Sequence, residues 1–158
     1  MSVILTAMEP DDFSLFAARA LAEYAEGMVA AGEWVASQAA AKAGEVWAQL
    51  LPQGRLSENN QFWRVASDGE RVGELWLAER RVGDRRVAFI LDIYIEPARR
   101  RQGYARQTLL AIEDKAREAG CEEMRLHVFG HNRAARSLYE RLGYGIASLT
   151  MSKDLPRS

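Results

Sequence analysis

The octapeptide at residues 99–106, RRRQGYAR, combines four arginines with a glycine and a small alanine. It follows Pro97 and an apolar run, and it precedes a helix-like stretch. Three interpretations are open: a solvated charged surface, a basic patch for nucleic acid, and a loop that holds phosphate. In the third, Gly103 and Ala105 would let anion oxygens approach the unpaired N–H groups that begin a helix, whose dipole favours negative charge.

Three other side chains have the chemistry for proton transfer: Glu74, Asp92 and His127. Asp92 interrupts an otherwise apolar run, and Glu74 shares a strand face with Trp76, so burial could raise the pKa of either carboxyl group. His127 carries an imidazole, which is a competent base near neutrality. Each of the three equally suits a structural role, as a satisfied carboxylate or as a packed, hydrogen-bonded imidazole.

The elements that must position these residues follow from hydrophobic periodicity and turn signals. The pattern predicts an α/β domain in the order β-α-α-β-β-β-α-β-α-β, with an antiparallel meander joined at Asp68-Gly69, a dipeptide that favours tight hairpins. The predicted strands are residues 2–8, 61–67, 71–79, 86–95, 122–130 and 144–155, and the predicted helices are 13–31, 35–50, 103–120 and 133–142.

Composition limits the class of protein. The 158 residues are the size of one domain, and mean hydropathy is -0.26, so we expect a single domain spanning 1–158. Lys and Arg number 21 against 22 Asp and Glu, so the overall charge does not favour nucleic acid or an anionic membrane. One cysteine, Cys121, and two histidines give neither a disulfide nor zinc-ligand spacing. No apolar run suits a signal peptide or membrane span, so we expect a cytoplasmic protein without metal.

Two motifs resemble the GCN5-related N-acetyltransferases (GNAT), which transfer acetyl from acetyl-CoA to an amine. Residues 100–105, RRQGYA, match the family signature [Q/R]xxGx[G/A], and residues 131–144, HNRAARSLYERLGY, fit NxxAxxLYxxxG[F/Y]. The resemblance runs from about Phe62 to the C-terminus. Residues 24–34, 50–54 and 151–155 are also similar to a branch of small bacterial members, which indicates a reaction but not a substrate.

The resemblance implies where acetyl-CoA binds. The fourth strand would splay from the next parallel strand, and the pantetheine arm would lie in the gap against backbone groups of the segment Ile93-Tyr94-Ile95. The pyrophosphate would lie on the N–H groups of residues 101–106, with the side chains of the signature around it. The residues implied in cofactor binding are Ile93, Tyr94, Ile95, Arg100, Arg101, Gln102, Gly103, Tyr104, Ala105, Arg106, Asn132 and Tyr139.

The resemblance also implies catalytic roles. Tyr139 would protonate the departing CoA thiolate, and Asn132 would cap the following helix and contact the pantetheine arm. His127 lies where related ribosomal-protein acetyltransferases place a catalytic glutamate, which makes it a candidate general base. Glu74 and Asp92 are rivals for that role, and the sequence leaves the choice among the three open.

The acceptor amine is not identified by the sequence. Tyr24, Met28, Trp34, Trp63 and Trp76 could line an acceptor pocket, or could form core, and Glu23 and Glu26 could attract a cationic amine. The oligomeric state is also open, with a homodimer as one option. Two other functions remain as alternatives: a catalytically silent CoA-binding scaffold, and a nucleic-acid-binding module that uses residues 99–106.

Overall fold

The computed structural model describes residues 2–157 and contains one sheet with helices on both faces. Its strands are β1 (Ile4–Ala7), β2 (Asn60–Ser67), β3 (Glu70–Val82), β4 (Arg85–Ile95) and β5 (Glu123–Leu126). Its helices are α1 (Pro10–Ala30), α2 (Ala36–Leu50), α3 (Tyr104–Glu118) and α4 (Arg133–Arg141), with short 3-10 turns at Gly54–Leu56 and Pro97–Arg99. None of the helices in residues 2–157 is both long and apolar enough to cross a membrane.

The five strands lie in chain order, and only the last pair is parallel. β1 to β4 form the antiparallel meander that the sequence predicts. Asp68 and Gly69 both have positive φ, 51° and 78°, as a tight hairpin between right-twisted strands requires. The α/β architecture is therefore confirmed as far as α4.

Each face of the sheet packs against one pair of helices. Beneath α3 and α4, residues of β3 and β4 such as Leu75 and Ile90 pack against Leu109 and Ile112. On the opposite face, Phe16 of α1 packs with Phe62, Trp76 and other residues beside α2. The face on which a β4 side chain lies therefore decides which pair of helices it contacts.

A β-bulge in β4 changes which face the later residues occupy. Trp76 of β3 lies opposite Asp92, whereas the next residue, Leu77, lies opposite Ile90, so Leu91 is the extra residue. Leu91 packs on the α1–α2 side, and Asp92 contacts α1 as well. Two consecutive side chains thus share a face, and the alternation continues in the opposite phase beyond them.

Beyond the bulge, β4 and β5 separate. Their parallel pairing covers Val87 to Ile90 against Glu123 to Leu126, and β4 continues alone on that side to Ile95. The divergence that the resemblance implies is therefore present, and it begins at the bulge. It leaves one edge of residues 91–95 without a strand partner in the described chain.

The predicted final strand, 144–155, is wrong for this structure. Residues 145–157 contain no strand, and β5 ends at Leu126, four residues before the predicted limit. Strand-like composition is not sufficient for a strand, because the backbone groups must also pair with a neighbouring edge, and this segment pairs with no strand of the described chain.

Candidate active site

The start of helix α3 lies at the open end of the gap between β4 and β5. The first intrahelical bond here joins the Gln107 N–H to the Gly103 carbonyl, so the preceding amides have no partner within the helix. Gly103 has φ of 86°, a conformation that favours glycine, and a Cβ placed there would meet no atom within 4 Å. The exposed, uncapped helix start has the features of an anion site.

The arginines around this helix start differ in what they contact. Arg99 forms an ion pair with Glu70, and the Arg100 Nε donates to the Ile95 carbonyl at 2.9 Å. Arg101 and Arg106 are exposed. Two of the four guanidinium groups are therefore engaged within the chain, which is weaker support for a broad nucleic-acid surface than for a local anion site.

Tyr104 fixes the loop to the sheet. Its side chain is buried in a cluster with Val65, Val72 and Ile95, so the first residue of α3 packs against the end of β4. This packing holds the first turn of the helix next to the end of the splayed strand. Tyr104 is therefore buried, whereas residues 100–103 of the same signature are exposed.

An ion cluster occupies the opposite face, under helix α1. The guanidinium of Arg19 donates at 2.7 Å to Glu74, to Asp92 and to Glu23. Its carbon lies 3.9 Å from the centre of the Tyr94 ring, a cation–π contact. Burial opposes the charge of Arg19, but Asp92 and Glu74 outweigh that effect and hold the pKa above its usual range.

Glu74 and Asp92, the two candidate carboxylates, differ in how much capacity they have left to accept a hydrogen bond or a proton. Glu74 is almost fully buried, and its two oxygens accept from Arg19 and Arg71 respectively. The side chain of Asp92 is 20% exposed, and its Oδ2 accepts from Arg19. Burial raises the pKa of Asp92, the hydrogen bond and charge of Arg19 oppose that rise, and Glu23 and Glu74 add to it.

Tyr139 lies on helix α4. It packs at the edge of the α3 core, and its ring lies 5.9 Å from that of Tyr144. Burial raises the pKa of the phenol, and the charge of Asp92 raises it further. The phenol therefore keeps its proton at neutral pH.

His127 lies apart from the cluster of Arg19, Glu74 and Asp92. It is exposed on the segment after β5, and its ring is edge-on to Phe129 at 5.0 Å between centres. Phe129 in turn covers Gly27 of α1, where a Cβ would lie 2.8 Å from the ring. The loop between β5 and α4 thus touches α1 through Phe129, while His127 contacts Phe129 and not the ion cluster.

Several other candidate side chains have structural roles. The Oδ1 of Asn132 accepts from the Ala135 N–H at 3.3 Å, so its predicted helix cap is confirmed. Trp76 is buried and donates to Asn60, and Trp63 packs toward α3 and Lys115, so neither lines a pocket beneath α1. The rings of Tyr24 and Trp34 pack against each other, at 5.5 Å, in the cluster between α1 and α2.

Sequence reasoning missed Arg19, the centre of the ion cluster. A signal was available, because Arg19 lies between Phe16 and Ala20, both buried, on the inner stripe of α1. A charge in such a stripe requires a partner. Its partners are 55 and 73 residues away in the chain, however, and only the fold brings them together.

Comparison with known proteins agrees with this geometry. The Acetyltransferase (GNAT) family model matches residues 18–144. Two Bacillus subtilis proteins named as uncharacterized N-acetyltransferases, YdgE and YycN, are 33% and 34% identical to this chain. Each match runs over 156 residues, which cover 98% of this chain and 99% of YdgE or 100% of YycN. The crystal structure of YycN superimposes with a TM-score of 0.93, covering 99% of this chain and all of that one. The chain belongs to the GNAT family and is an N-acetyltransferase.

Proposed function

We propose that this enzyme transfers acetyl from acetyl-CoA directly to an amine, with both substrates bound at once. The observation that carries this proposal is the joint presence of the β4–β5 gap and the exposed, uncapped start of α3 at its end. A strand edge without a partner suits the amides of pantetheine, and free helix amides suit a pyrophosphate. A family that uses acetyl-CoA as co-substrate supports the same ligand.

In this proposal the first-turn amides of α3 bind the pyrophosphate, with Arg101 and Arg106 beside them. Backbone groups of Ile93 and Ile95 bind the pantetheine amides along the open edge of β4. Arg100 acts indirectly, because its bond to the Ile95 carbonyl ties the loop to the strand end. The Asn132 side chain caps α4, which carries Tyr139.

Among the three candidate bases we propose Asp92. Glu74 has both oxygens bound by guanidinium groups and almost no exposure, so it has little capacity to accept a substrate proton. Asp92 retains partial exposure, and its charge contributes to the raised pKa of Tyr139. His127 is exposed and contacts Phe129 rather than Glu74 or Asp92. Arg19 would then orient Asp92 and limit how far its pKa rises.

The transfer step balances with these two residues. Asp92 takes a proton from the ammonium form of the acceptor, directly or through water, and frees the nitrogen lone pair. The C–N bond forms as the thioester C–S bond breaks, and the Tyr139 phenol gives its proton to the departing sulfur. The nitrogen loses its second proton as the amide forms. That proton returns through water to the Tyr139 phenolate, and the proton on Asp92 passes to solvent. The acceptor is an amine, and no narrower class follows from the residues around Asp92.

The test compares two glycine variants in acetyl-CoA titrations. Gly103→Val should weaken binding at least tenfold, about 1.4 kcal/mol, because the side chain would stand where phosphate approaches the helix. Gly83→Val is the matched control, since Gly83 also has positive φ, 64°, and open space around its Cβ position. Equal weakening in both variants would contradict the site.

An acetylation screen over amines, peptides and aminoglycosides then tests turnover. Acetyl-CoA that stabilises the protein thermally, by roughly 2.7 kcal/mol at a hundred times Kd, together with an acetylated product, supports the enzyme. Binding without turnover across the panel would indicate the silent scaffold instead. No acetyl-CoA binding, with salt-sensitive binding of DNA or RNA, would overturn the proposal in favour of the nucleic-acid module.

A further inference from the structure

The side chain of Tyr94 lies on the α1 side of the sheet, next to the ion cluster. Tyr94 is paired directly with Glu74 of β3, and the neighbouring pair on the same face is Asp92 with Trp76. The guanidinium carbon of Arg19 lies 3.9 Å from the centre of the Tyr94 ring. The transfer step described above uses no atom of this side chain, so its role is open.

A close approach between β3 and β4 sets the position of the ring. Gly73 of β3 is paired with Ile95, and a Cβ at Gly73 would lie 2.2 Å from the carbonyl oxygen of Tyr94. No larger residue fits at that distance, so the glycine lets the two backbones meet where Tyr94 is paired. The ring of Tyr94 and the carboxylate of Glu74 are therefore direct cross-strand neighbours beneath α1.

The guanidinium of Arg19 has more carboxylate partners than a single position requires. Glu23, Glu74 and Asp92 all accept from it at 2.7 Å, and their side chains are 47%, 3% and 20% exposed respectively. Glu23 therefore competes for Arg19 from the solvent side. A guanidinium donates hydrogen bonds within its own plane, so an aromatic ring on its face restricts its position and leaves its donors free. The Tyr94 ring favours the position at the two less exposed carboxylates.

A second guanidinium contacts the same ring from the loop before α3. The Arg100 guanidinium carbon lies 5.4 Å from the centre of the Tyr94 ring, and the Arg100 Nε donates to the carbonyl of Ile95. Arg100 thus contacts both the ring and the backbone of the following residue. One aromatic ring therefore touches the ion cluster, through Arg19, and the signature loop, through Arg100.

We propose that Tyr94 is a positioning residue for acetyl transfer: its ring holds Arg19 against Asp92, and Arg100 holds the ring. The inference rests on the proposed role of Asp92 as the base. The hydrogen bond and charge of Arg19 favour the ionised carboxylate, whereas burial favours the neutral acid. If Arg19 moved toward Glu23, Asp92 would hold its own proton more tightly and could not take one from the acceptor.

The first measurement is the titration of the Asp92 carboxyl by carbon-13 NMR without substrate, with the signal assigned from Asp92→Asn. In Tyr94→Leu this carboxyl should bind its proton about tenfold more tightly, since a nearby opposite charge ordinarily lowers a carboxyl pKa by about 1–3. Tyr94→Phe keeps the ring face and should titrate close to wild type. None of these variants alters the other charged or titratable groups around Asp92 and its partners, namely Arg19, Glu23, Arg71, Glu74 and Tyr139.

The matched control removes another ring of β4 that contacts an arginine. The Phe89 ring centre lies 5.1 Å from the guanidinium carbon of Arg80, so Phe89→Leu removes a comparable contact outside the ion cluster. Its Asp92 titration should equal that of wild type. An equal rise in Phe89→Leu and Tyr94→Leu would show a general effect of losing a ring and would overturn the proposal.

Arg100→Met tests the ring from the loop side, and Arg100 is exposed, so the fold should survive. This variant should raise the proton affinity of Asp92 less than Tyr94→Leu does. The double variant should rise no further than Tyr94→Leu alone, because both changes act through one ring. Additive rises would overturn the link through the ring. So would an unchanged titration in Tyr94→Leu, or in Arg100→Met if Tyr94→Leu does not fold.

The pH profile of kcat/KM separates this inference from the choice of base. With Asp92 as the base, the acid limb in Tyr94→Leu should move to higher pH together with the carboxyl titration, because the base must be ionised. A shifted titration with an unmoved limb would overturn Asp92 as the base but leave its contact with Arg19 intact. An unshifted titration, with activity lost in Asp92→Asn, would overturn only the role of Tyr94.

Discussion

The two halves of the candidate site are built in different ways. The half proposed to bind the cofactor, at residues 93–106, offers backbone groups: a strand edge and the free amides of α3. The half proposed to receive the acceptor, beneath α1, offers side chains: the cluster of Arg19, Glu74 and Asp92. Backbone recognition needs local geometry, whereas side-chain recognition needs distant residues to converge. The first kind therefore leaves a short continuous motif in the sequence, and the second does not.

The largest expected effect is in the acceptor half. Asp92→Asn should lower kcat by about 10²–10⁴-fold if Asp92 is the general base, while acetyl-CoA affinity changes little. The acid limb of the kcat/KM profile should lie above the usual Asp pKa of ~3.9, because burial raises the pKa of Asp92 and the base must be ionised. The measurement is a pH–rate profile of both proteins. His127→Ala is the comparison, and a loss confined to that variant would reverse the assignment.

Arg19 should have the second largest effect, on folding stability. Arg19→Met keeps the length of the side chain but leaves Asp92 without its ion pair, which should cost about 3–5 kcal/mol of unfolding free energy. The matched control is Arg117→Met on α3, whose ion pair with Asp114 is of the same 2.7 Å length but about 70% exposed. That variant should lose less than about 1 kcal/mol in chemical denaturation. Similar losses of unfolding free energy would show that the Arg19 cluster stabilises the fold no more than an exposed ion pair does.

Removing the hydroxyl of Tyr139, the proposed acid, should have a smaller effect. Tyr139→Phe keeps the ring and removes the proton, so kcat and kcat/KM should fall together by about 10²-fold with little change in KM. The defect should shrink with an acetyl thioester of a more acidic thiol, which needs less protonation. An effect on KM alone would make Tyr139 a binding residue. Steady-state kinetics with both thioesters provides the measurement.

The smallest effect concerns the contact between α1 and the loop after β5. Gly44→Ala in α2 meets no atom within 4 Å, so it should stabilise by about 0.5–1 kcal/mol through helix propensity. Gly27→Ala should gain about 1 kcal/mol less, because its Cβ would collide with Phe129. In a Phe129→Ala background the two alanines should become equivalent. A difference that persists there would remove the Phe129 contact as its cause.

These contrasts explain what the sequence could predict. The meander, α3 and the turn at Gly103 follow from local periodicity and from a glycine before the helix, so they could be predicted directly from the sequence. Arg19 could not, since its role depends on partners brought together by packing. The prediction of the final strand was wrong for a related reason: residues 144–155 have strand composition, but a strand also requires pairing with a neighbouring edge, which composition does not specify.

The bulge at Leu91 makes the site depend on the number of residues in β4. Leu91 and Asp92 share the α1 side and Ile93 returns to the α3 side, so the extra residue leaves Asp92 and Ile93 on the faces that a regular strand would give them. Deleting Leu91 would therefore keep the carboxylate under α1, since the pair of Asp92 with Trp76 would directly follow the pair of Ile90 with Leu77. The deletion would instead remove the local bend at the point where β4 leaves β5. In evolutionary terms, the loss of this one codon would spare the ion cluster and threaten the gap, so the two can vary separately.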